Sequence, residues 1–167
     1  MSLRSGQAAP LFEARSDDGR RVALRELRGE WVALFFFSGA LTPAGRLEAQ
    51  QFEAAQRDFQ QLGAQVIGVS SDTEASQALL RQTCQLSFPL LPDAQRRIGK
   101  AYGMLGGALG LLGFNQRRTF LIDPAGRVAY VWRGVKPNRH AAEVLRELGQ
   151  QQGQAGLRSQ QISHGPV

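Results

Sequence analysis

Hydrophobic positions along this chain follow two rhythms. Residues 30–37 (EWVALFFF) and 64–70 (AQVIGVS) are nearly continuous apolar runs, the pattern of buried central strands. Between them Leu47, Phe52, Ala55, Phe59 and Leu62 recur at near-helical spacing and stop before Gly63, a suitable helix-ending residue. Asp72 or Thr73 can cap a second helix that holds Leu79, Leu80, Thr83 and Cys84, with Leu86 near its end. A short strand over 22–24 follows the turn at Asp18-Gly19. Pro89 and Pro92 bracket a short extended piece, and 94–102 predicts a helix. Residues 116–122 and 127–132 predict two strands joined at Asp123-Pro124-Ala125-Gly126, a hairpin signal. Pro137-Asn138 opens a last helix with Ala141, Val144, Leu145 and Leu148 on one face.

This order of strand, helix, strand, helix, antiparallel hairpin and closing helix predicts a thioredoxin-like α/β fold, a central mixed sheet flanked by helices. Residues 1–150 read as a single domain, with 1–7 a loose start. From about Gly149 the chain is rich in Gln, Gly and Ser without periodicity, and 151–167 is expected to be a mobile tail.

Composition narrows the function. A chain of 167 residues that is 43% hydrophobic can bury a core without staples. Its one cysteine excludes an internal disulfide and a cysteine-based zinc site. His140 and His164 lie far apart, so neither a metal site nor a cofactor is expected. No apolar run reaches membrane-spanning length and the N-terminus lacks a signal-peptide pattern, so a soluble cytoplasmic protein is expected. The net charge of +6 comes mostly from arginines dispersed along the chain, as at Arg20-Arg21, Arg96-Arg97 and Arg117-Arg118. Such dispersal predicts a solvated surface and no specific nucleic-acid site.

The chemistry centres on FFFSGALTPAGRLEAQQF, residues 35–52, where a strand meets a Gly/Pro-punctuated turn and then a helix. That layout presents a reactive side chain at a helix N-terminus. Here Ala44, Gly45 and Arg46 supply no nucleophile. Around it lie Gly6-x-x-Ala9-Pro10-x-Phe12, Asp18-Gly19-x-x-Val22-x-Leu24, Gly29-x-x-Val32, FPLLPD (88–93), AYG (101–103) and RRTFLIDPAGRV (117–128). Together, in this order and spacing, they resemble the peroxiredoxins, specifically the Q-type or bacterioferritin-comigratory-protein branch.

The resemblance covers residues 6 to about 148. It implies thiol-dependent, thioredoxin-linked peroxide reduction at a Pro-x-x-x-Thr-x-x-Cys signature. On that signature Thr42 matches the Thr, Pro43 fits the branch's Thr-Pro, and Glu48 matches the acidic residue that follows. Ser38 stands at the signature proline, Gly45 at the peroxidatic cysteine, and Gln50 where many members carry a resolving cysteine. Arg117, two residues before Thr119-Phe120, matches the family's active-site arginine. In the family a thiolate attacks the peroxide O–O bond, its pKa lowered by a helix N-terminus and an Arg. Thr and Arg stabilise the developing charge.

Glycine cannot attack anything. The first functional expectation is therefore a degenerate, non-peroxidatic member. It would keep a pocket for a small anion or oxygen-containing ligand at Thr42, Pro43, the Gly45 N–H and Arg117. The second is a thiol peroxidase or redox protein using Cys84 or a partner's thiol. The helix of Cys84 carries a resolving cysteine in some members, about one turn earlier, near Arg81. By its place beside Leu80, Cys84 itself reads as a small core residue. The third is a binding or holdase-like protein that self-associates or contacts partners through the apolar segment 103–114 (GMLGGALGLLGF). His140 reads as a surface or capping residue and Trp132 as strand packing.

Overall fold

The structure, a computed structural model, describes residues 3–104 and 117–163. Five strands form the central sheet in the order β5-β4-β3-β6-β7. They are β3 (Trp31–Phe36), β4 (Ala64–Ser70), β5 (Leu90–Pro92), β6 (Arg118–Ile122) and β7 (Val128–Trp132). β3, β4 and β5 run parallel, and β6 and β7 are antiparallel additions, so the sheet is mixed. A separate antiparallel pair, β1 (Glu13–Arg15) and β2 (Arg21–Ala23), precedes it. The two apolar runs are the two central strands, paired from Trp31↔Ala64 to Phe36↔Val69.

Because side chains alternate along a strand, β3 feeds two cores at once. Ala33 and Phe35, with Phe37 just beyond, enter a core under α1 (Pro43–Ala54), α2 (Gln56–Gln61), α3 (Glu74–Cys84) and α5 (His140–Ser163). Val32, Leu34 and Phe36 enter the opposite core with Ile67, Ile98, Tyr102 and Phe120. Phe35 stacks on Phe52 of α1 with ring centroids 4.3 Å apart, which fixes α1 over the centre of the sheet.

Several elements differ from the sequence expectation. The helix expected through residues 47–62 is interrupted at Ala55. The helix expected at 94–102 shortens to α4 (Arg97–Ala101). Asp93 sets its start, its carboxylate accepting the Ile98 and Gly99 N–H groups at 3.2 and 2.8 Å. The last helix begins at His140 and does not stop near Gly149 but runs to Ser163. Its extension is tied by polar contacts, which apolar periodicity cannot reveal: Gln152 Nε2 donates to Leu62 O at 2.6 Å, and Gln151 Nε2 to Glu147 Oε1 at 2.9 Å. From Leu105 onward the expected 103–114 contact segment lies outside the described residues. Among the described residues no helix is long and apolar enough to cross a membrane.

Candidate functional site

Between β3 and α1 the chain turns through residues 38–42, SGALT. Gly39 sits at φ +70°, a conformation glycine adopts without strain. The turn closes on its own carbonyl: Thr42 N–H and Thr42 Oγ1–H both donate to Gly39 O, at 2.9 and 2.7 Å. Ala40 N–H donates to Asp72 Oδ2 at 2.9 Å, tying the turn to the chain just before α3. Thr42 is also the N-cap of α1, its Oγ1 accepting the Gly45 N–H at 3.1 Å. Pro43 opens the helix, where its missing N–H leaves nothing unpaired.

Gly45 is the tightest point. A Cβ on it would overlap the Gly39 carbonyl oxygen and lie 3.1 Å from Gly39 C and 3.2 Å from Ser38 O. The space a side chain would use is filled by the chain's own backbone. Any residue larger than glycine requires the turn or the first helical turn to move.

Gly45, Glu48, Ala49 and Phe52 form the buried stripe of α1, at the i, i+3, i+4, i+7 spacing of an inward helix face. One member of that stripe is a carboxylic acid with no exposed surface. Glu48 Oε2 accepts from Arg117 Nη1 at 3.2 Å, while Oε1 has no partner among the described residues. Arg117 also reaches Ser38 O through Nη2 at 3.5 Å, the outer limit of a hydrogen bond, and its side chain keeps 20% of its surface exposed. Burial pushes the Glu48 carboxyl up to about 7, outweighing the opposing pull of the Arg117 charge.

Thr42, Pro43 and Gly45 thus form the turn and the start of α1, and Arg117 approaches them through Ser38 O and Glu48. The donors expected for an external anion are engaged internally, the Gly45 N–H with Thr42 Oγ1 and Arg117 with Glu48 and Ser38 O.

Cys84 lies apart, half-buried at the end of α3 and packed against the helix-covered core. Burial pushes its thiol above the ordinary value, against the smaller pull of Arg46 and a hydrogen bond from Gln50. One turn earlier Arg81 makes a two-pronged pair with the buried Asp17, Nε to Oδ2 at 2.6 Å and Nη2 to Oδ1 at 2.7 Å. It also caps the carbonyls of Leu86 and Phe88 at 2.6 and 2.7 Å.

His140 is a correction to the expected surface residue. It has no exposed area, and its Nε2 lies 2.6 Å from Thr119 Oγ1. Its ring packs edge-on against Phe52 and Trp132, because the first residue of α5 already belongs to the helix's inward face. Burial pushes its pKa down to about 4, opposed by Glu143, so the ring is neutral near pH 7.

Two features of the site escaped the sequence reading. Glu48 was matched to the family's acidic residue, but not its burial against Arg117, although an acid three residues after Gly45 and four before Phe52 falls inside the apolar stripe. The Gly39 carbonyl had no comparable signal, since a backbone atom's position is not written in residue type.

A family model described as the AhpC/TSA family matches residues 5–131. The chain is 34% identical over 152 residues to Peroxiredoxin Bcp of Bacillus subtilis, covering 89% of this chain and 96% of that protein. Among solved structures, the bacterioferritin comigratory protein of Xanthomonas campestris superposes with a TM-score of 0.81 at 27% identity, over 89% of this chain and 99% of that one. Peroxidoxin BcpB from Mycobacterium tuberculosis gives 0.79 at 30% identity, over 87% and 96%.

Proposed function

This chain belongs to the AhpC/TSA family of peroxiredoxins, and we propose that within it the protein is a member that does not turn over peroxides, Gly45 occupying the position of the peroxidatic cysteine. One observation carries this reading. The mouth of α1 holds a glycine whose side-chain space is filled by the Gly39 carbonyl oxygen. The related Xanthomonas campestris protein is described by its alkyl peroxide reduction activity. Such thiol chemistry needs an accessible thiolate, and neither sulfur nor room for it exists at Gly45.

What Thr42 and Arg117 retain is the polarity of a site for a small anion or oxygen-containing ligand. In the closed arrangement three internal acceptors stand in for that ligand: Gly39 O, Ser38 O and the Glu48 carboxylate. An external ligand has to compete with them. Redox chemistry at Cys84 is disfavoured by its raised thiol pKa and by the lack of a second cysteine in the chain. Contact through 103–114 rests on sequence alone.

The test is consumption of hydrogen peroxide and an organic hydroperoxide with dithiothreitol, in wild type and Cys84→Ser. The expected rate is that of free thiol at equal concentration. Saturable turnover that survives Cys84→Ser overturns the reading; saturable turnover that disappears with it transfers the chemistry to Cys84.

A further inference from the structure

The Glu48 carboxyl is walled in on α1 with one oxygen on Arg117 and the other without a partner among the described residues. A buried ion in a structural pair normally has all its lone pairs satisfied. Asp17, in the same molecule, meets that standard: two Arg81 nitrogens and the Leu90 N–H address its oxygens. Glu48 does not. Its guanidinium partner is partly exposed and, among the described residues, has only a 3.5 Å contact to Ser38 O as a second tie.

The geometry points to Glu48 as a proton-operated latch on Arg117: ionised, it holds the guanidinium against α1; protonated, it releases it to bind a small oxyanion at the mouth of that helix. The inference deepens the proposed ligand site and rests on it, but not on inertness toward peroxide.

The charge balance sets the direction. With Glu48 ionised, the pair is neutral. With Glu48 protonated, an uncompensated guanidinium stands beside the positive end of α1. The carboxyl O–H then adds a donor next to the guanidinium, so both can address one oxyanion. Burial already places the carboxyl near 7, so both forms are populated around neutrality.

The other titratable groups around α1 do not share this role. His140, facing Phe52 from α5, is neutral above about pH 5. Glu143 lies beyond it, 3.8 Å from His140 Nδ1. Cys84 on α3 faces Gln50 and the exposed Arg46 of α1. Asp72 is engaged by the Ala40 N–H. Among the described residues Arg117 is the one charge that acts on Glu48.

The probe is sulfate, which stays fully ionised throughout. Amide shifts of Thr42 and Gly45 and the Arg117 Nε–H signal follow its binding at pH 6 and pH 8.5, at constant ionic strength. If only the protonated form binds, the competent fraction falls from roughly 0.9 to roughly 0.03, and sulfate binds about thirty-fold more weakly at pH 8.5. Glu48→Gln is expected to bind with no pH dependence, at the wild-type pH 6 level. Equal wild-type affinity at both pH values overturns the latch. So does a pH dependence that persists in Glu48→Gln, or sulfate that never perturbs Arg117. If Glu48→Gln does not fold, the Glu48 side-chain carboxyl is titrated by 13C NMR in wild type with and without sulfate. Binding coupled to protonation raises the midpoint, and an unmoved midpoint refutes the coupling. A peroxide assay is blind to all of these readouts, so the two proposals fail separately.

Discussion

Two buried carboxylates in this protein each face an arginine, and they are built differently. Asp17 and Arg81 join the β1–β2 region to α3 and the start of β5, with paired contacts at 2.6 and 2.7 Å and two carbonyls taking further guanidinium donors. Glu48 and Arg117 join α1 to the residue before β6 through one contact at 3.2 Å, and one carboxylate oxygen has no partner among the described residues. The first arrangement has a single satisfied state and serves the fold. The second is stable only relative to alternatives that a proton or a ligand can change. A half-satisfied buried ion marks the part of a fold not optimised for stability alone.

The sharpest way to break this contrast is to remove one partner from each pair. Arg81→Ala leaves the buried Asp17 carboxyl without its partner, and is expected to lower unfolding free energy by about 3–5 kcal/mol in urea melts. Glu48→Gln removes a charge the fold already disfavours, so its effect depends on pH. The Glu48 pKa is raised on folding, from 4.5 to about 7. Its stabilising contribution is therefore fully present below pH 4.5 and lost as pH rises through 7. Between pH 5 and pH 8 wild type should lose about 2–3 kcal/mol that Glu48→Gln keeps. Parallel pH profiles for the two proteins contradict the burial argument. A mild Arg81→Ala variant contradicts the claim that its pair is structural.

A second contrast separates glycines. Gly153 on α5 has open space where a Cβ would go, whereas Gly45 has the Gly39 carbonyl. Gly153→Ala is expected to stabilise by about 0.5–1 kcal/mol through backbone entropy. The same change at Gly45 brings that entropic gain but forces the turn apart, for a net loss of about 1–3 kcal/mol. Thermal melts of both variants decide it. A stabilising Gly45→Ala would show that the turn yields freely and that the site can accept a side chain.

The sequence reading and the structure part at a physical boundary. Patterns set by burial were legible. The apolar runs at 30–37 and 64–70 became the two central strands, and Thr73 became the cap of α3. The α/β order followed from them, whereas the family resemblance came from short motifs such as FPLLPD and RRTFLIDPAGRV in their order and spacing. Residues 38, 42, 45 and 117 were singled out by the resemblance, through their places on the family's signature and before Thr119-Phe120. What stayed hidden depends on backbone placement or on polar contacts between distant segments: the Gly39 carbonyl over Gly45, the inward turn of His140 toward Thr119, and the Gln152 contact that carries α5 past Gly149.

The smallest expected effect compares the threonines that open the two helices. Thr42 and Thr73 both follow a parallel strand, and each accepts the N–H three residues on, at 3.1 and 3.2 Å. Thr73 does little more than cap, its hydroxyl otherwise meeting Ser76 Oγ at 3.1 Å on the surface. Thr42 also donates to the Gly39 carbonyl, so one hydroxyl closes the turn and caps the helix. Thr73→Ala is expected to cost about 1 kcal/mol, and Thr42→Ala about 0.5–1 kcal/mol more, one further net hydrogen bond. Stability alone separates them poorly, so the decisive readout is local. Thr42→Ala should speed hydrogen exchange at the Ala40 and Thr42 amides, both of which the closed turn protects. Thr73→Ala should leave those amides unchanged. Equal exchange in both variants would mean that the turn is held shut by Asp72 and Arg117 rather than by Thr42. The cap of α1 would then be ordinary, and the difference between the two helix openings would lie wholly in the buried pair behind it.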